Sequence, residues 1–178
     1  MATGSLIKID EEIVTSAVAS VSVGGANWDS SYDVYMVKVN GLKVDTDGVN
    51  VYLRILDSSN IPETTANYDW ARKILKANTS FSQGASSNRT QDYFVYNTIG
   101  TGTGEVASGI LYLFNFNNAS EYSFYTLEEL EREASAGNLQ GLMGGGVLTL
   151  PAQHKGVQFS LSSGNFNGGS VTLYGLKK

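Results

Sequence analysis

The chain has 178 residues, no cysteine, 2 prolines, 20 glycines, 42% hydrophobic residues and a formal net charge of −5. That length supports one domain with a substantial core, the lack of cysteine rules out disulfide staples and thiolate chemistry, and the acidic balance argues against a basic groove for nucleic acid. No run approaches the ~20 apolar residues a membrane-spanning helix needs, and the first residues lack the basic-then-apolar pattern of a secretory signal, so neither membrane nor nucleic acid is an expected partner.

In chain order, residues 1–10 read as a short N-terminal arm, with Leu6, Ile7 and Ile9 as candidate docking residues. Residues 11–178 read as one β-sandwich domain. Within it, residues 13–23 are rich in Val, Ser and Ala and predict one long strand. Gly24 and Gly25 open a loop in which Trp28 is expected to cap one end of the core. Residues 33–40 alternate Tyr35, Val37 and Val39, and residues 49–56 alternate Val49, Val51, Leu53 and Ile55. Asp45-Thr46-Asp47-Gly48 lies between them, so the pair predicts a hairpin. Residues 57–67 read as loop.

Residues 68–76 fit a two-turn helix or a strand, and the strand-rich context favours strand. Residues 78–91 are polar and predict a loop that carries Phe81. Residues 92–98 predict a strand, and glycines at 100, 102 and 104 break the chain after it. Residues 109–116 form the most apolar stretch, short and aromatic-rich, hence a buried strand. Residues 122–127 are a further strand candidate. Residues 127–134 carry a helical pattern, with Thr126 and Glu129 spaced like a capping box and Gly137 beyond the end. Gly144, Gly145 and Gly146 precede a strand over 147–150 that Pro151 stops. Finally, Val157, Phe159 and Leu161 alternate with polar residues, as do Val171 and Leu173, around the turn Ser162-Ser163-Gly164-Asn165. This predicts a terminal hairpin. Eight to ten short strands with almost no helix give an all-β fold, an antiparallel β-sandwich of jelly-roll type with a short N-terminal arm.

The residues that carry chemistry are sparse. His154 is the single histidine and reads as a surface residue, since no Gly-x-Ser-x-Gly elbow accompanies it. Asp45, Asp47 and Asn50 match the opening of a calcium loop, but the closing glutamate is missing; the plainer reading is a turn. The glycines at 100, 102 and 104 lack the Lys-Ser/Thr ending of a phosphate loop. Glu128, Glu129, Glu131 and Glu133 read as a solvated charged face. A pair of carboxylates for glycoside hydrolysis has no sequence signature here. The aromatics Trp28, Phe81 and Phe166 fall in predicted loops and are candidate surface contacts, with packing as the plainer alternative.

The segment from Phe159 to the end, with Ser162-Ser163-Gly164-Asn165 and the closing Tyr174-Gly175, resembles the ending of a family of tailed-bacteriophage virion proteins common in phages of marine bacteria and cyanobacteria. Residues 32–40 and 109–118 are also similar, so the resemblance runs through most of the chain from Tyr32. It implies a jelly-roll-like sandwich, a homo-oligomer (often a trimer) and no catalysis. Gly164, Gly169, Tyr174 and Gly175 take structural roles in it. The charged stretch 127–133 departs from the pattern. The expected function is that of a non-enzymatic structural protein assembled in the host cytoplasm and located in the virion. Capsid decoration is the first expectation. The alternative is a tail-fibre or tail-appendage module for host adhesion, using loop aromatics or a calcium-bearing turn on a host-surface glycan. The expected partners are other virion proteins.

Overall fold

The computed structural model describes residues 5–134 and 137–176. The fold is an antiparallel β-sandwich, as the alternating sequence requires. An eight-stranded sheet has the order β1-β12-β3-β8-β9-β10-β5-β6, and a four-stranded sheet has the order β2-β11-β4-β7. The strands are β1 (Leu6–Ile13), β2 (Ser20–Gly24), β3 (Val34–Val44), β4 (Val49–Asp57), β5 (Tyr68–Lys76) and β6 (Phe81–Arg89). They continue with β7 (Asp92–Ile99), β8 (Ala107–Phe114), β9 (Ser123–Arg132), β10 (Leu139–Leu148), β11 (His154–Leu161) and β12 (Phe166–Leu176). The core lies between the sheets and is built from the inward parity of each strand. Tyr35, Val37, Leu53, Ile55, Phe94, Leu111, Phe159 and Leu173 are all buried there.

Both predicted hairpins turn out to be crossovers. β3 lies in the large sheet and β4 in the small one; β11 lies in the small sheet and β12 in the large one. Period-two alternation reports which face of a strand is buried and says nothing about its partner. The two crossover turns meet at one end of the sandwich. The Asn165 N–H and Nδ2 donate to the Asp45 carboxylate (2.8 and 3.0 Å), and the Asp45 N–H donates back to the Asn165 carbonyl (3.0 Å). Gly164 sits there with φ 74°, a left-handed conformation that glycine adopts at little cost.

Other expectations are also corrected. The strand predicted over 13–23 divides: β1 ends at Ile13 in the large sheet, β2 begins at Ser20 in the small sheet, and Val18 bridges to Phe166 between them. The polar stretch predicted as loop contains β6, an edge strand paired to β5. Residues 68–76 are strand β5, as favoured. Most of the helical pattern over 127–134 falls instead in β9, which pairs along its whole length with β10 and over residues 124–131 with β8. Tertiary pairing on both sides outweighs a weak local helix signal. The boundary drawn between residues 10 and 11 falls within β1. The arm, from Leu6 onward, is an edge strand paired with β12 from Leu6↔Leu176 to Ile13↔Ser170. Residues 1–4 of that arm lie outside the described residues.

Candidate functional site

Strand β9 alternates strictly, and several of its inward residues are polar. Ser123, Tyr125, Leu127, Glu129 and Glu131 are buried, while Phe124, Thr126, Glu128 and Leu130 face solvent. The acidic run is therefore split. Glu128 is solvated as expected, but Glu129, Glu131 and Glu133 point into the protein. They share the parity of Tyr125 and Leu127, and that parity was the available signal.

The inward polar groups form two clusters. In the first, the Asp92 carboxylate at the start of β7 pairs with the Arg72 guanidinium and accepts from the Tyr125 hydroxyl (2.7 Å) and the Tyr93 N–H (2.6 Å). Arg72 also donates to the Tyr93 carbonyl (2.8 Å), and its guanidinium lies 4.1 Å from the Trp70 ring centroid. Burial raises the pKa of Asp92, against the pull of Arg72 and of the donors around it. Because β7 belongs to the small sheet and β5 and β9 to the large one, this cluster ties the layers together.

The second cluster is acidic. Glu131 accepts from Gln140 Nε2 (2.7 Å), and Glu133 pairs with Lys76 (2.7 Å). Both Glu129 oxygens lack a hydrogen-bond partner among the described residues. Desolvation pushes the Glu131 carboxyl up to about 8, with Glu133 adding to the shift and Lys76 opposing it. Desolvation and then Glu131 raise Glu129 well above the carboxylate range. Two neighbouring carboxyls in such surroundings are both biased towards the protonated form.

His154 is fully buried, which corrects its reading as a surface residue. Its Nδ1 is 2.7 Å from the Ser123 Oγ, and its ring packs near Phe116. Desolvation lowers its pKa, so the ring is neutral. Ser123 is fully buried as well, so this Ser-His pair is sealed from any substrate; it joins β9 to β11 across the sandwich.

Of the three candidate contact aromatics, Trp28 caps one end of the core as expected. It is half-buried against Tyr35 and Phe116, and its indole N–H donates to Asn117 Oδ1 (2.9 Å). Phe166 is fully buried, because the turn that precedes it delivers the ring inward; it is not a surface contact. Phe81 is 74% exposed. The three are not gathered into one site: Phe81 sits on the opposite edge of the large sheet from β1, far in topology from the Trp28 cap. Leu6 and Ile7 are exposed along β1, while Ile9 packs partly against the core.

The Asp45 oxygens are engaged by Asn165 and Thr46, and Asp47 accepts from the Thr101 N–H (3.2 Å). These residues latch loops together. Among the described residues no group of three or more His, Cys, Asp or Glu side chains converges on a common point.

The feature the sequence reading missed is the outer face of the large sheet. Ile110, Tyr112, Phe124, Leu130, Met143 and Leu75 all point outward from β8, β9, β10 and β5, each 37–57% exposed. Gly141 leaves a groove of about 430 Å³ between Leu130 and Leu75, and a second of about 560 Å³ lies beyond Met143. One unbroken register row crosses this face. It runs from Glu11 through Thr172, Lys38 and Ile110 to Glu128, and on through Met143 and Lys73 to Gln83. No family model matches this chain, and comparison with curated proteins and with solved structures likewise finds no similar protein.

Proposed function

We propose that this chain is a non-enzymatic structural protein of a tailed-phage particle, a decoration protein of the capsid surface, and that it works by adhesion between protein surfaces. The observation that carries this reading is the outer face of the large sheet. Six large apolar side chains stand exposed on four adjacent strands, and a soluble monomer seldom leaves such a patch uncovered. Covering what remains exposed of each would contribute about 1 kcal/mol before association costs. The resemblance of the C-terminal segment to phage virion proteins supports the same reading. So does the arm, whose strand β1 is the edge of the large sheet and whose Leu6 and Ile7 stay exposed where a neighbouring subunit could meet them.

Quantitative mass spectrometry of purified particles tests the reading. Hundreds of copies per particle are expected. About a dozen copies would place the chain in a tail appendage, the adhesion alternative, and absence from particles would overturn the virion role.

A further inference from the structure

The outer face of the large sheet is complementary to itself. The unbroken row places charges of alternating sign on alternate strands: Glu11 on β1, Lys38 on β3, Glu128 on β9 and Lys73 on β5. Ile110 of β8 stands midway between Lys38 and Glu128. A two-fold axis along β8 over Ile110 keeps the row in place and reverses the strand order. It sets Lys38 against Glu128 of a second copy, Glu11 against the second copy's Lys73, and Ile110 against itself.

Two rows on the Phe114 side are compatible with the same operation. In the row holding Tyr112, that ring meets its own copy, and Met36 meets Thr126. In the row holding Phe114, Val34 meets Phe124, apolar on apolar. Neither Lys38 nor Glu128 has an ion-pair partner among the described residues, although each flanks the most apolar part of the face. The area also suffices. Strands ~4.8 Å apart and rising ~3.3 Å per residue give this face roughly 800–1,000 Å², close to the ~800 Å² per partner of a stable complex.

We infer that the outer face of the large sheet is the interface of a two-fold symmetric homodimer, sheet against sheet, with Ile110 on the axis and two reciprocal Lys38–Glu128 pairs across it. A self-complementary patch that maps onto itself is what an isologous interface requires, and aligned sheet packing has the matching geometry. This inference rests on the reading of the face as an adhesive surface and names its occupant. It leaves the crossover-turn end of the sandwich free to meet the particle.

The test is sedimentation equilibrium of the full chain from micromolar to near-millimolar concentration, with charge-reversal variants. The wild type is expected to dimerise. Glu128→Lys alone, or Lys38→Glu alone, should weaken the dimer roughly tenfold or more, since each sets like charges face to face twice. The double variant Lys38→Glu/Glu128→Lys should recover the wild-type constant to within about threefold, because the swapped pair is again opposite in sign. Both residues are solvent-exposed, so in every variant circular dichroism should be unchanged, as should the thermal midpoint measured at concentrations where the chain is monomeric. A monomer at all concentrations, a trimer, or a double variant no better than the singles overturns the inference. Particle mass spectrometry keeps the two readings apart. A monomer found in virions overturns the dimer alone, and a dimer absent from virions overturns the virion role alone.

Discussion

Glu131 is a carboxylic acid held inside a sandwich with one hydrogen-bond donor, Gln140, and its proton is part of the fold. Its pKa rises from 4.5 in the unfolded chain to about 8 when folded, so between those values the folded protein holds a proton that the unfolded chain has released. Stability is therefore fully present below pH 4.5 and declines as pH rises towards about 8. Glu129 acts in the same direction. His154 acts oppositely: its folded pKa lies below the ordinary 6.5, so its contribution is full above that value and fades as pH falls below it. From pH 6.5 to 8 the buried carboxyls, Glu131 among them, should make stability fall as pH rises. We expect Glu131→Gln, which keeps the shape and removes the ionisation, to flatten that slope and to stabilise the protein at the alkaline end by roughly 1–3 kcal/mol. Urea unfolding at several pH values measures this, and an unchanged slope would refute it. These buried acids were only half legible in the sequence. A run of glutamates reads as a solvated face when counted as charge; it reads as one solvated and three buried side chains when the parity set by Tyr125 and Leu127 is carried through it. Burial of His154 had no local signal, since its partner Ser123 lies in a different sheet.

Strand β10 shows why a glycine-rich stretch can be a full strand. Gly144, Gly145 and Gly146 look like a break, yet they sit mid-strand between β9 and β5. A Cβ on Gly144 would stand 2.3 Å from the Ala71 carbonyl oxygen and 2.7 Å from the Arg72 Cα; one on Gly146 would stand 2.4 Å from the Tyr125 hydroxyl. Gly144 and Gly146, on the inward parity, thus leave room for the Arg72–Asp92–Tyr125 cluster beside them. Gly144→Val should force β5 and β10 apart and cost roughly 2–4 kcal/mol, read as a lower thermal midpoint; a neutral result would show that the strands can spread freely. At this scale strand existence was largely legible, because half-buried strands must alternate. Strand pairing was not: the turns at Asp45 and Gly164 have hairpin chemistry but connect opposite sheets, and only the long-range Asp45–Asn165 latch reveals it.

For the whole molecule, the two-layer architecture followed from alternation and turn spacing, whereas the place of the arm did not, because an edge strand needs little apolar content of its own. β1 is held along its length by β12, and the Asp10 carboxylate accepts from the Gly24 N–H (2.8 Å) and Asn27 Nδ2 (2.9 Å), tying it also to the small sheet. Deleting residues 1–13 should leave the two-layer core folded but lower the thermal midpoint and bare the edge of β12, an open template for strand addition. Light scattering should then show association of a kind that charge reversal at Glu128 does not abolish. Complete unfolding of the truncated chain would mean that the edge strand is integral to the core.

The position of β12 also dictates an order of events during synthesis. β1 leaves the ribosome long before its strand partner β12, and β3 on the other side of β12 waits for the same arrival. Until then two strand edges of the large sheet stand open, and the contacts that close them span nearly the whole chain. Such non-local closure belongs to the slower, millisecond-to-second class of folding. Any stop codon that removes β12 leaves β1 without its strand partner.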